Sequence, residues 1–364
     1  MTAYCSAIDC ALHVDMNGDI RTCCSGSFAF GNLNDQNLDS IRAKQKLDNE
    51  YCKTCNYIEK RTPGSSQRSS FLDMYGVRDN HEIKFADIRF SNTCNLSCRY
   101  CDSFSSSKWA KLVGDPVQSY PAEILLKGIA KHVDTLDRVM LVGGEPLLQK
   151  PNLQLLNMLN PDCELEIITN ANTNFRKNKI YEKTKKFKKI HWNLSFDNVG
   201  DRYEYVRAGG SWQRLNENIT KLGDDFGYEN VTFHPIYNIW NATRLIEFYD
   251  FRDSIDKNLN VMWQEVMGDM LIVSNHNDKI IDLAILEIDK LNYSNPSTDG
   301  MDFLHNMKTV LQETSNSSTK DIDFIKWITK QELLIPPTKT FALLWPELYS
   351  IMKNNEYETC NNTR

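Results

Sequence analysis

Three thiols, Cys94, Cys98 and Cys101, fall within eight residues, with three and then two residues between them. A run that short cannot supply three separate core positions. It is a loop whose side chains can converge on one object, and converging thiolates bind a soft metal or an iron–sulfur cluster. Three donors rather than four is the informative feature. One iron of a four-iron cluster would lack a protein ligand and stay open to substrate or cofactor. A zinc knuckle is the alternative reading, but it would want a fourth Cys or His close by, and none lies between Asp102 and Leu126.

A second group of thiols precedes this loop. Of eleven cysteines, six (Cys5, Cys10, Cys23, Cys24, Cys52 and Cys55) lie before residue 56, and only Cys163 and Cys360 lie outside the two groups. In a reducing compartment metal ligation is a better default than disulfides, so two groups point to two metal centres. Cys52-x2-Cys55 is a spacing whose two thiols can face one way. Cys10, near the start of a strand, reads as a small buried hydrophobe. Cys23 and Cys24 are adjacent on a strand and point to opposite faces, so either could be the ligand.

The chain has 364 residues, 41% apolar and 25% charged, with a net charge of −6. That is room for one large domain and a smaller one. The acidic balance gives no bulk attraction to nucleic acid or to an anionic membrane. No apolar run reaches the roughly 20 residues of a membrane span, and Met1–Cys5 has no signal-peptide pattern. The expectation is a cytoplasmic protein without membrane or nucleic-acid partners.

The elements that must position the thiols follow. Leu12–Asp15 and Ile20–Cys24 flank Asn17-Gly18, which reads as a β-hairpin. Gly31-Asn32-Leu33 reads as a turn, and a short amphipathic helix is expected from Leu38 to about Leu47. Residues 61–82, with Pro63-Gly64-Ser65-Ser66, read as a linker with a short helix near Phe71–Tyr75. From residue 83 strands are expected over 84–90, 138–142, 164–169, 190–196, 230–237 and 260–266. Helical periodicities separate them, as at Ile124–Val133, Leu153–Leu159 and Leu245–Tyr249. That alternation predicts parallel strands joined by helical crossovers, and working residues at the carboxyl ends of those strands. The basic run Arg176–Lys189 reads as a solvated helix face, with Ile180 and Phe187 turned inward. Ile280–Leu291, Met301–Leu311, Ile322–Leu334 and Phe341–Met352 look helical, with Pro336-Pro337 between the last two. Ser315–Ser318 and Asn361–Arg364 are polar.

The spacing Cys94-x3-Cys98-x2-Cys101, with aromatic Tyr100 before the last Cys, resembles the signature of the radical SAM superfamily. The resemblance implies an α/β fold, a partial (β/α)6 TIM-like barrel. It also implies a [4Fe-4S] cluster on these three cysteines, with S-adenosylmethionine on the open iron. Gly143-Gly144-Glu145-Pro146, after the second strand, resembles the motif that holds the cofactor's ammonium. Tyr100 would lie beside adenine. Leu194-Ser195-Phe196-Asp197 resembles the fourth-strand motif, so Ser195 and Asp197 would reach ribose or carboxylate. Arg207 resembles an arginine near the methionyl carboxylate, or else makes a surface salt bridge. Asn170, in Thr169-Asn170-Ala171-Asn172, either faces the same cleft or forms an Asx-turn. His234 and Asn238 on the fifth strand are weaker candidates.

Cys5, Gly18, Cys23, Gly31-Asn32 and Cys52-x2-Cys55 resemble SPASM and twitch modules, which carry auxiliary four-iron clusters. Cys5, Cys23, Cys52 and Cys55 would be the ligands of one auxiliary [4Fe-4S] cluster. A zinc site on four cysteines is the alternative. Here the module would come first, ahead of the barrel. The implied organisation is 1–60 cysteine-rich β-hairpin module, 61–82 linker, 83–267 barrel and 268–364 mostly helical extension. The implied activity is reductive cleavage of S-adenosylmethionine to a 5′-deoxyadenosyl radical, which abstracts hydrogen from a substrate carbon. A reductant protein such as flavodoxin or ferredoxin would supply the electron. The expected substrate is a peptide or protein. A sugar, nucleoside or other small metabolite is the second expectation, and a non-catalytic cluster- or zinc-binding protein the third.

Overall fold

The structure, a computed structural model, describes residues 4–46, 48–61, 66–78, 80–266, 268–294, 300–314 and 320–361. Leu47, Pro63-Gly64-Ser65, Ser315–Ser318 and residues 362–364 lie outside the described residues. The chain forms two compact units. One takes the chain as far as Asn95, then Asp102–Thr169 and Thr173–Trp192; the other takes Leu96–Cys101, Asn170–Asn172 and everything from Asn193 onward. The fold is mixed α/β, built on parallel strands.

In the first unit β1 (Ala11–Val14) and β2 (Asp19–Arg21) make the expected antiparallel hairpin. Gly18, with φ +89°, supplies its left-handed turn residue. β3 (Gly31–Asn32) pairs antiparallel with β2, Asp19 opposite Asn32. Gly31-Asn32, read above as a turn, is therefore a short third strand. Its glycine is needed because a Cβ there would meet Ile41 at 2.9 Å. The helix expected to about Leu47 is Leu38–Arg42; beyond Ile41 the next residues offer no large apolar side chain to bury.

β4 (Phe85–Ile88), β5 (Arg138–Leu141), β6 (Glu164–Thr169) and β7 (Ile190–Leu194) follow at the expected places. β1 is itself parallel to β4, so the hairpin extends the parallel sheet, in the order β3-β2-β1-β4-β5-β6-β7. Register explains why this edge holds. Leu12, Ala86, Val139 and Leu165 form one cross-strand row, and Val14, Ile88, Leu141 and Ile167 another; all eight are fully buried. Burial of each large aliphatic side chain contributes about 1.5–3 kcal/mol. The opposite face carries the row His13, Asp87, Met140 and Glu166.

In the second unit β8 (Val231–Phe233) pairs in parallel with β10 (Asn260–Val261). β9 (Ile236–Tyr237) and β11 (Gln264–Glu265) form a separate parallel pair. The fifth and sixth expected strands are thus each broken in two. Pro235 has no N–H for the ladder, and only its carbonyl accepts, from Gln264 N at 3.1 Å.

The C-terminal segment folds as helices Asp278–Ser294, Met301–Glu313, Asp321–Leu334, Phe341–Leu344 and Pro346–Asn361. Phe341–Met352 is not one helix, because Pro346 restarts it at a position where the missing N–H costs nothing. Phe324, Ile328, Phe341, Trp345 and Leu348 pack with Tyr205, Ile239 and Trp240 in one buried cluster, against which Tyr100 also rests. Among the described residues no helix is long and apolar enough to cross a membrane.

Candidate functional site

In the first unit the cysteine loop is entered from β4, and the turn after β5 holds its start. Glu145 N–H donates to Thr93 O at 2.8 Å and Gly144 N–H to Ser91 O at 3.3 Å. Gln149 Oε1 accepts from Phe90 and Ser91 N–H. A Cβ on Gly144 would stand 2.5 Å from both Asn92 O and Thr93 O. The glycine is required by this approach of chain to chain, one residue before Cys94. Gly143 sits at φ +117°. Cys94 N–H donates to Ser107 Oγ at 3.0 Å, at the start of helix Ser107–Val113. Gly144→Ala is expected to cost at least about 1–3 kcal/mol, as forced overpacking does, and to lower iron uptake. Thermal melting and iron content after reconstitution check both.

Glu145 is fully buried. Its Oε1 accepts from Leu147 N–H at 3.1 Å and Thr169 Oγ1 at 2.8 Å. The carboxylate thereby ties the turn after β5 to the end of β6. Thr169 opens the tetrapeptide Thr169–Asn172, whose polar side chains are expected to face one cleft, and it is the last residue of β6.

In the second unit Asp197 is buried and takes three partners. Arg207 Nε donates at 3.0 Å and Tyr100 Oη at 2.8 Å to Oδ2, and Ile236 N–H donates at 2.9 Å to Oδ1. The Arg207 guanidinium lies 5.4 Å from the Tyr100 ring centre. The arginine is 5% exposed, so its ion pair is interior, not at the surface. Ser195 lies half-buried just past the end of β7. Asn170 Oδ1 accepts from Asn172 N–H at 2.9 Å, the Asx-turn alternative, while Asn172 reaches Tyr203 Oη and Ser211. Asn238 is used locally, accepting from Trp240 N–H and donating to Ile236 O. His234 N–H continues the strand pairing to Leu194 O.

Burial pushes the Cys98 thiol up to about 12; Arg207 opposes this, and Cys101 and Asp197 add to it. A buried thiol becomes a thiolate ligand only if a bound cation takes the proton's place. A cavity of about 330 Å³ borders Tyr100 and Cys101, with walls from Asp269, Met270, Leu271, Trp327 and Gln331. The C-terminal segment thus forms one side of a pocket at the cysteine loop.

The other thiol group lies wholly in the first unit. Cys5, Cys23, Cys52 and Cys55 line one narrow space with Tyr51, Arg68 and Phe71. Cys52 precedes helix Lys53–Arg61 and Cys55 is in its first turn, so the pair sits at a helix start rather than in a free turn. Burial raises Cys5 to about 11 and Cys23 to about 12, and neighbouring thiols add to both. Cys23 faces this space, whereas Cys24 is exposed and receives Gln67 Nε2. Cys10 is fully buried among apolar neighbours. None of the ten cysteines from Cys5 to Cys163 is in a disulfide.

Donor type fits an iron–sulfur group at both places: every candidate donor is sulfur and none is a hard oxygen. Among the described residues no three His, Cys, Asp or Glu side chains are arranged to hold a single metal ion.

The profile of the radical SAM superfamily matches residues 88–251. The chain is 26% identical over 207 residues to a GTP 3′,8-cyclase of Peptoclostridium acidaminophilum, covering 55% of this chain and 59% of that protein. It is 38% identical over 85 residues to a 7-carboxy-7-deazaguanine synthase of Clostridium acetobutylicum, covering 23% and 35%. The chain therefore spans about three fifths or less of the length of these curated relatives. Among solved structures it is similar to anSMEcpe with bound AdoMet and Kp18Cys peptide (TM-score 0.44, 14% identity, 64% of this chain and 67% of that one). It is also similar to Streptococcus suis SuiB bound to S-adenosylmethionine (TM-score 0.41, 16% identity, 70% and 53%). Likeness at those scores carries no weight. The profile match, which runs from the end of β4 through the cysteine loop to helix Leu245–Ile255, supports membership of the radical SAM superfamily for this chain.

Proposed function

We propose that this chain is a radical SAM enzyme whose Cys94, Cys98 and Cys101 hold a [4Fe-4S] cluster with one open iron for S-adenosylmethionine. The observation that carries this reading is the three-thiol loop, with the turn Gly143-Gly144-Glu145 hydrogen-bonded to its first residues. When bound, the cluster and cofactor supply one-electron cleavage of the sulfonium, giving a 5′-deoxyadenosyl radical that takes hydrogen from a substrate carbon. The protein supplies orientation and a dry cavity. Glu145 orients the cofactor's ammonium, its Oε1 steadied by Thr169. Tyr100, fixed through its hydroxyl to Asp197, offers its ring to adenine. Asn170, Ser195 and Arg207 complete the polar contacts. A reductant protein such as flavodoxin or ferredoxin delivers the electron.

Cys5, Cys23, Cys52 and Cys55 hold an auxiliary four-iron cluster in a SPASM- or twitch-like module. This resemblance, together with the four side chains lining one space, favours a peptide or protein as substrate. The second reading is a small purine-type metabolite. It is favoured by the curated relatives, named for cyclising GTP and for making 7-carboxy-7-deazaguanine.

The chain is reconstituted anaerobically with iron and sulfide, reduced, and supplied with S-adenosylmethionine. Formation of 5′-deoxyadenosine supports the enzyme reading; its absence from a chain that has taken up iron leaves a non-catalytic cluster protein. Mass spectrometry after incubation with neighbouring-gene peptides, and separately with GTP, decides between the substrates. In Cys52→Ser/Cys55→Ser about four irons per chain are expected to be lost, while those held by the three-cysteine loop stay. A zinc site would instead lose one zinc and no iron.

A further inference from the structure

The residue between two of the loop cysteines has its own anchorage. Arg99 is 1% exposed. Its Nε donates to Tyr205 O at 2.9 Å and its Nη2 to Ile335 O at 3.0 Å. Its guanidinium carbon lies 4.1 Å from the centre of the Tyr205 ring. The backbone is held too: Arg99 N–H donates to Val206 O and Ser97 N–H to Ala208 O, both at 2.8 Å. So the loop between Cys98 and Cys101 is fastened to helix Gly200–Val206 and, through Ile335, to the segment after helix Asp321–Leu334.

None of these partners carries a compensating charge. Of the acids on that side, Glu332 accepts from Tyr205 Oη at 2.8 Å and from Phe341 N–H and also acts electrostatically on Arg99, and Asp201 and Glu204 line one pocket with Arg99. Carbonyl oxygens and an aromatic face hold a guanidinium well and leave its charge in place. In a buried setting that charge acts strongly on its neighbours. The group proposed above for Cys94, Cys98 and Cys101 is anionic, since each ligand is a thiolate, and reduction adds one more negative charge to it.

We propose that Arg99 is a positioning residue: it clamps the cysteine loop to the C-terminal extension and keeps a positive charge beside the loop that eases reduction of its cluster. The charge half of this rests on the cluster reading above; the clamp half does not. By this account the extension is part of the device that sets the loop's shape. A displacement of Ile335 would reach Cys98 and Cys101 through one side chain.

The test uses the full chain carrying Cys52→Ser/Cys55→Ser, so that one cluster is observed, with Arg99→Gln and Arg99→Lys. In the iron-free protein, amide hydrogen exchange at residues 97–101 is expected to speed up in both variants, because neither side chain can bridge two carbonyls and cover the ring. Tyr205→Phe, which keeps the ring and the carbonyl, is expected to leave that exchange unchanged. In the reconstituted protein, an EPR-monitored redox titration is expected to show a more negative midpoint for Arg99→Gln and a midpoint near the parent's for Arg99→Lys. Unchanged exchange in Arg99→Gln and Arg99→Lys overturns the clamp. An unchanged midpoint in Arg99→Gln overturns the charge effect. Should the parent bind no iron, the cluster reading and the charge effect fall together, and the exchange arm still decides the clamp.

Discussion

Replacing Cys98 by alanine is expected to bring 5′-deoxyadenosine formation to background and to remove about four irons per chain. The side chain is 8% exposed and interacts electrostatically with Cys101 and Arg207. Alanine fits the space it leaves, so the fold should survive and the loss should be one of ligation. Cys163→Ala is the matching control. That thiol is 3% exposed and its Sγ lies against backbone, the carbonyl of Glu164 and the amide of Val139, so its loss should cost some stability and no iron. Iron content, visible absorption and product formation are read on the same samples. A Cys98→Ala chain that keeps its full iron and its activity would remove the proposed site.

The second large effect is on stability. Asp197→Ala is expected to destabilise the fold by about 3–5 kcal/mol, the cost of leaving a buried charge without its partner. Arg207 would be stranded in the interior, and the Tyr100 hydroxyl and Ile236 N–H would each lose an acceptor. Urea denaturation measures it. Adding Arg207→Met to Asp197→Ala should restore part of the loss, because the stranded charge is then gone, and the two changes should be far from additive. A loss below about 1 kcal/mol in the single variant would mean that water reaches the guanidinium and that the pair is not interior in solution. Both carboxylate oxygens already have protein partners. Any part Asp197 has in cofactor binding therefore works alongside its hold on Tyr100 and Arg207.

Much of the frame was legible because it rests on local pattern. The apolar alternation in Phe85–Ile88, Arg138–Leu141 and Glu164–Thr169 marks strands wherever they pack. Asn17-Gly18 dictates a hairpin from its own backbone preferences. Ile180 and Phe187 are both buried, as the period of the basic run predicts, but the helix is only Lys179–Thr184 and the chain leaves it before Phe187. Element ends were less legible. Pro235 and Pro346 broke a strand and a helix that periodicity ran through, because an apolar pattern does not register a missing N–H.

Other features depended on residues far apart in the chain. That β1 joins β4 in parallel could not be read from residues 1–60, because pairing depends on which edge of a distant sheet is open. Gly144 looked like a glycine for a ligand; the contact that demands it is with Asn92 and Thr93, some fifty positions earlier. Nothing near Arg99 in the sequence hints at Tyr205 or Ile335, its partners in the fold. The chain's order of residues was enough to specify the chemistry available, sulfur donors at fixed short spacing, because ligand type and loop length are local properties. Which of Cys23 and Cys24 turns to the shared space, and what anchors the loop around Cys98, were settled only in three dimensions, where burial and hydrogen-bond partners come from distant segments.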